Sequence, residues 1–347
     1  MNNTPASVRD RIARLHAPGI VDFHFDLPMA LYDASDRNDV LDTQFLPEFE
    51  AGSIGVLVAG IYLEERFLPD RALAVALDQI ARTYIEVGRS HRFAICKSHS
   101  DIQHVRQQKK IALVFAMEGV EPLGTDLNLL RVFYELGVRV IGLTHARRNA
   151  AATGSLFVTS GSSPDGLTQF GRDLVQECEA LGIILDLAHI NAAGFNDIFE
   201  ITSKPLIVSH TNVRHYYDIE RNISDEQIKM IGKRGGVIGV NSLLVSARQE
   251  ECTLDRYVDH IEHIADLIGI DGVAIGFDFF DFIYRGWLEA ERMEFHRKFP
   301  GLYFIPELRN HSGTGRLTGK LIERGFADEQ IEKILFRNWM RMFAKLL

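Results

Sequence analysis

Histidine and carboxylate side chains that close short apolar runs can gather at one rim of a sheet, and this 347-residue chain has seven of them. His24 and Asp26 end GIVDFHFD (19–26), and Glu118 lies at the end of KIALVFAMEG (110–119). His145, His189, His210 and Asp278 close VRVIGLTH (138–145), GIILDLAH (182–189), PLIVSH (205–210) and GVAIGFDF (272–279). A lone His-x-Asp is a weak signal, and any one strand-end histidine is as readily a hydrogen-bonded structural group. The full set at equivalent positions is hard to ascribe to chance. Imidazole and carboxylate together suit borderline or hard divalent ions, Zn2+ and Mn2+ among them. One tetrahedral site with an open position needs fewer ligands, so the count points to two ions bridged by a carboxylate.

Two more apolar runs, SIGVLVAGIYL (53–63) and GGVIGVNSL (235–243), bring the total to eight. Most intervals carry helix-period patterns: Arg71 to Val87, Leu127 to Leu136, Leu167 to Leu181, Asp225 to Ile231 and Leu254 to Ile268. Strand and helix thus alternate eight times, which predicts an α/β chain folded as a (β/α)8 TIM barrel. In such barrels chemistry sits at the C-terminal ends of the strands, where the seven residues fall. Alternation puts Asp22, His24 and Asp26 on one face of their strand and Val21, Phe23 and Phe25 on the other. It likewise groups Val114, Ala116 and Glu118, then Leu185, Leu187 and His189, then Gly272, Ala274, Gly276 and Asp278. Ser224 and Gln227 read as a capping box opening the helix after the sixth run. No Pro/Ser-rich linker divides the chain, so residues 1–347 are expected to form one catalytic domain, with C-terminal helices over 317–347. A loop insertion at 283–316, rich in aromatics, is either a substrate lid or a helix packed on the outside.

The formal net charge of -9 and the lack of a long basic run argue against a nucleic-acid partner. Arg147-Arg148 and Lys109-Lys110 read as solvated surface. Cys96, Cys178 and Cys252 are too few and scattered for a disulfide framework or a cysteine zinc site, so reduced thiols and a cytoplasmic setting are expected. No run is long enough to span a bilayer, the first sixteen residues lack a signal's apolar core, and no membrane partner is expected.

The ordered segments DFHFDLP (22–28), MEG (117–119), LTH (143–145), DGLTQFGRDLVQECEALGIILDLAHI (165–190), VSHTNVR (208–214), RNISD (221–225) and IGFDF (275–279) resemble the membrane dipeptidase (renal dipeptidase) family of zinc metallopeptidases, in a soluble microbial form. The resemblance extends over most of the chain and implies a TIM barrel of the metal-dependent hydrolase type with two divalent ions, zinc first. His24 and Asp26 would bind one, His189 and His210 the other, and Glu118 would bridge them. It implies that His145 polarises the scissile carbonyl, that Arg221 with Asn222 binds the substrate carboxylate, and that Asp278 is the catalytic acid and base. The expected reaction is hydrolysis of small dipeptides, C-terminal D-residues included, by hydroxide held on the ions, in a chain that the resemblance suggests is a homodimer. The chain departs from the family after His145 (ARRNAAATGS), where Asn149 alone matches. It also departs after Asp278, where Asp281 is displaced by one, and at Val120, where a second glycine is usual. Those departures leave open another amide, lactone or ester as substrate, while a catalytically silent metal-binding protein is disfavoured by the complete residue set. His99, His104, His215, His260, His263 and His311 are expected in surface or capping roles. Asp22 is either an outer support for a ligand or a plain strand carboxylate, and Arg214 either supports Arg221 or pairs on the surface.

Overall fold

All eight apolar runs contain strands in the computed structural model, which describes residues 6–155, 157, 163–299 and 301–347. In chain order the strands are β1 (Ile20–Phe25), β2 (Ile54–Tyr62), β3 (Phe93–Ile95), β4 (Ile111–Glu118), β5 (Val138–Gly142), β6 (Ile184–Asp186), β7 (Ile207–Thr211), β8 (Val237–Val240) and β9 (Val273–Ile275). All pair in parallel, in the order β1-β2-β4-β5-β6-β7-β8-β9, a nearly closed (β/α)8 barrel. The extra strand β3 pairs with Ile111 to Leu113 of β4, below the stretch from Phe115 that pairs with β5. Three residues are too few to show a period, so nothing in the sequence announced it.

Helices Ala72–Arg89, Asn128–Leu136, Gln169–Leu181, Ala192–Ile201, Asp225–Lys233 and Leu254–Ile268 make the crossovers. Side-chain oxygens of Thr168, Asn191, Ser224 and Thr253 accept first-turn amides, and the Ser224–Gln227 capping box forms in both directions. Inside the ring, Val21 and Phe23, Val56 and Val58, Val114 and Ala116, Val140, Ile184, Ile207, Val237 and Ala274 form one apolar cluster, with residues from all eight barrel strands. The C-terminal helix Asn338–Leu346 packs against this cluster: Trp339 stacks on Phe23 at 3.7 Å between ring centroids and donates Nε1–H to the Ile275 carbonyl.

Strand β1 departs from the expected alternation. From Asp22 to Phe25 it advances three residues while β2 advances two, from Leu57 to Ala59. This bulge reverses the facing of everything after it. Asp22 and Phe25 therefore both meet the outer layer, where each contacts His311, and His24 turns inward with Phe23. The expectation that Asp22 shares a face with His24 and Asp26 is corrected accordingly. Asp26 lies beyond the strand, at the N-cap of helix Leu27–Asp33, and its side chain makes no capping bond.

No β-ladder joins β9 to β1. Asp22 closes that seam, its Oδ1 accepting the amides of Phe277 (2.9 Å) and His24 (3.3 Å), while the Asp278 amide donates to the His24 carbonyl (3.2 Å). Its Oδ2 lies 2.8 Å from His311 Nε2, and the Nδ1 of that fully buried ring faces Glu48 at 3.1 Å. His311 is thus a core residue, against expectation; it opens a 3-10 turn of three residues, too short for a period to betray burial. Burial opposes its protonation, but Asp22 and Glu48 outweigh that and raise its pKa.

Candidate metal centre

Each site residue reaches the C-terminal rim by a local device. Glu118 does so by plain alternation after Val114 and Ala116. His210 follows a second bulge, three residues of β7 against two of β8 between the Val208–Ile238 and Thr211–Val240 pairs. His189 and Asp278 lie three residues past short strands, so parity does not carry them there as expected. Both take left-handed backbone conformations, φ +63° and +56°, which non-glycine residues hold only when their surroundings insist. Gly276 and Gly239 are required nearby, because a Cβ on either would come within about 2 Å of the Ser209 carbonyl oxygen.

The donor atoms converge. Glu118 Oε1 lies 3.0 Å from His189 Nε2, 3.5 Å from His210 Nε2 and 3.6 Å from His24 Nε2. The Nε2 atoms of His189 and His210 are 2.9 Å apart. His24 Nε2 is 3.5 Å from Asp26 Oδ1 and 3.8 Å from Asp278 Oδ1. His145 packs its ring, tilted by 32°, on His189 at 4.3 Å and groups with Glu118 and His189 as a possible ligand set. His24 Nε2, Asp26 Oδ1 and His189 Nδ1 are buried without a hydrogen-bond partner, which a satisfied core would not tolerate. Such donors, packed so closely and left orphaned, fit divalent cations.

Burial opposes the charge on His24, but Glu118, Asp26 and Asp278 outweigh it and lift that imidazole to about 10. Burial, reinforced by Arg221, pushes His189 and His210 well below their usual value, and burial takes His145 down to about 4 against the pull of Glu118. Burial would raise Glu118, yet His24 and His189 pull it well below the carboxylate range. Burial drives Asp278 up to about 7, with His24 opposing and Glu118 and Asp26 adding to the rise.

Arg221 is buried, its Nη2 3.1 Å from His189 Nε2 and donating to the His210 carbonyl at 2.9 Å, while its Nε has no partner. Asn222 gives its amide to the Tyr217 and Leu244 carbonyls and so ties two loops together. Arg214 braces the same loop through the carbonyls of Ile219 and Asn222. Asp281 is turned away to Arg309 and Arg285, where it anchors the insertion. Arg147, expected on the surface, is largely covered: it pairs with Glu121 at 2.6 Å and donates to the Leu63 carbonyl. Asn149 holds its own loop, through the Leu143 carbonyl and the Ala151 and Ala152 amides.

Two residues the sequence reading passed over belong here. Asn241, just past β8, donates to Asp278 Oδ2 at 3.1 Å and accepts from the Leu243 amide. Tyr62, at the end of β2 and in register with Glu118, packs its ring on His145 at 4.8 Å. Both close runs for which no polar end residue was considered, so the strand-end rule applied to all eight runs would have found them. The signal for Asp186 was weaker; its Oδ1 accepts the Ala188 and Ser209 amides.

His260 also contradicts its expected surface role. It belongs to the inner stripe Tyr257, His260, Ile261 and Ile264 of its helix, a period that the charged neighbours concealed. The Val213 amide donates to Nδ1, so the ring hydrogen sits on Nε2 and goes to the Val245 carbonyl, both at 2.9 Å. Burial, opposed by the Val245 bond, pushes its pKa down to about 3. Between that value and about 6.5 the unfolded chain binds a proton that the folded ring refuses, so stability is complete above the window and lost as pH falls through it. Denaturant unfolding of the protein and of His260→Gln from pH 7 to 4 is expected to show a shallower pH dependence in the variant, the parent losing roughly 3 kcal/mol more over that range. Parallel curves would sink this assignment.

Residues 9–295 match the family described as Membrane dipeptidase (Peptidase family M19). The chain belongs to the membrane dipeptidase family. It is 29% identical to an uncharacterised dipeptidase of Schizosaccharomyces pombe, over 94% of this chain and 80% of that one. It is 31% identical to an uncharacterised protein encoded 5′ of pqqA in Klebsiella pneumoniae, over 74% and 89%. A metallopeptidase of Rhodobacter sphaeroides, liganded with a phosphinate mimic of L-Ala-D-Ala, shares its fold, with a TM-score of 0.82 and 23% identity over 95% and 99% of the two chains. As a member of the membrane dipeptidase family, the chain is a metallopeptidase-type hydrolase with a cluster suited to divalent metal. No helix among the described residues is long and apolar enough to cross a membrane.

Proposed function

We propose that this chain is a binuclear, zinc-dependent dipeptidase that cleaves small dipeptides, including those with a C-terminal D-residue. One observation carries the reading: Glu118 Oε1 lies within 3.6 Å of three imidazole nitrogens at the catalytic rim. His24 and Asp26 would hold one ion and His189 and His210 the other, with Glu118 between. Divalent cations held by these residues would supply Lewis acidity, lowering the pKa of a water and offsetting negative charge on the carbonyl oxygen.

The chain's own groups supply the rest. Asn241 occupies Asp278 Oδ2, leaving Oδ1 to take the proton of the attacking water and return it to the departing amine. Asp278 Oδ1 lies 3.8 Å from His24 Nε2, beside the place where that water would be held. His145, uncharged at neutral pH, offers an N–H to the scissile carbonyl. Arg221 lines the cleft with its Nε unpartnered, and its guanidinium would hold the substrate's terminal carboxylate. The D-residue expectation draws support from the L-Ala-D-Ala mimic held by the Rhodobacter sphaeroides protein.

Elemental analysis of the purified protein, paired with an L,L and L,D dipeptide panel, tests the reading. Two ions per chain are expected, with hydrolysis abolished by chelation and restored by zinc. A fully loaded protein that cleaves none of the panel would end the substrate claim, and one ion per chain would end the binuclear one.

A further inference from the structure

Above the proposed metal centre opens a cleft of about 670 Å³ whose floor includes Asp26, Glu118, His145, His189, Arg221 and Asp278. Its upper wall comes from the 283–316 insertion and the adjoining loops. Phe157 packs on the His189 ring at 6.1 Å and on Phe299 at 5.5 Å; Phe299 meets Phe295 at 5.3 Å, and Phe295 meets Phe280 and Trp287 at 5.3 and 5.1 Å. A continuous aromatic surface therefore runs from a catalytic-rim histidine to the outer helix Glu289–Lys298.

The charged residues beside the aromatic wall face one another in pairs, two of them at the exposed mouth. Lys298 pairs with Glu65 at 3.3 Å across the mouth, Arg66 with Glu64, and Arg147 with Glu121. A charged substrate side chain packed against these rings would lose water and meet no counter-charge among them, whereas an apolar one would gain the aromatic surface. We infer that the insertion makes this enzyme selective for dipeptides bearing a large apolar or aromatic side chain, which lodges against Phe157, Phe280, Trp287, Phe295, Phe299 and Leu302. The inference rests on the dipeptidase reading and names the substrate class of the same site.

Two substrate series, Xaa-Ala and Ala-Xaa with Xaa as Ala, Leu, Phe, Asp or Lys, test it. In at least one series kcat/KM for Leu or Phe is expected to exceed that for Ala, Asp and Lys by roughly tenfold or more. Phe299→Ala should collapse that ratio and Phe299→Leu should retain part of it. A ratio is unaffected by the fraction of protein folded or metal-loaded. A second readout needs no turnover: titration of the zinc-loaded Asp278→Asn protein with Phe-Ala, Ala-Phe and Ala-Ala, followed by the fluorescence of Trp287, since Trp339 lies buried on Phe23. If dipeptides are cleaved with no preference for Leu or Phe, the selectivity is overturned and the dipeptidase reading stands. If none is cleaved, that reading falls and the titration decides the cleft: tighter binding of the Phe peptides sustains the apolar site, and equal binding overturns it.

Discussion

Replacing Asp278 by Asn is expected to lower kcat on dipeptides by roughly 100- to 10,000-fold, the range ascribed to a positioned general acid and base, with little change in KM. The substitution is a clean probe for a structural reason. Asp278 sits at φ +56°, a region that Asn tolerates nearly as well as Asp, so the backbone that delivers the side chain need not move. The volume is the same, and Asn241 still finds a carbonyl-type acceptor after an amide flip. What disappears is a carboxylate able to accept a proton from water and pass it to an amine. Metal content, measured by elemental analysis on the same preparation, should be unchanged. Loss of an ion in the variant would instead make Asp278 a ligand, a role its 3.8 Å approach to His24 Nε2 makes worth testing.

Glu118→Gln is expected to strike the metal rather than the proton. Glu118 Oε1 is the atom common to the His24, His189 and His210 contacts, and its charge is the largest influence raising the His24 pKa. A neutral amide of the same shape keeps the packing and removes that charge. Changing an outer-shell partner alone typically costs 10- to 100-fold in metal affinity, so loss of the proposed bridge should cost at least roughly 100-fold. The variant should retain fewer than two ions per chain, show no measurable hydrolysis, and lose most of the rise in melting temperature that added zinc gives the parent protein. Full occupancy with unaltered affinity would remove Glu118 from the centre.

Most of the framework was legible in the sequence because it rests on local periodicity. Eight apolar runs, helix-period intervals and a capping box at Ser224 and Gln227 each declare themselves within a few residues, and all appear as read. The residues that gather at the rim were legible too, since each closes one of those runs. Tyr62 and Asn241 were missed only because an uncharged side chain at a strand end drew no notice. The outer layer was far less readable. His260 was hidden among charged neighbours on one helix, and His311 in a short 3-10 turn whose partners, Asp22 and Glu48, lie 289 and 263 residues away.

By itself the chain determined the barrel, its order of strands and the identity of the groups that could bind metal, because hydrophobic period and strand-end position are properties of short segments. Only the tertiary structure decided which way those groups face. A bulge arises from the register of one strand against its neighbour, so the inward turn of His24 and the outward turn of Asp22 depend on β2 as much as on β1. The left-handed turns at His189 and Asp278 are likewise held by contacts rather than by local preference. The aromatic wall over the cleft, assembled from residues 157, 280 and the insertion, exists only once the closed barrel has brought those segments to one mouth.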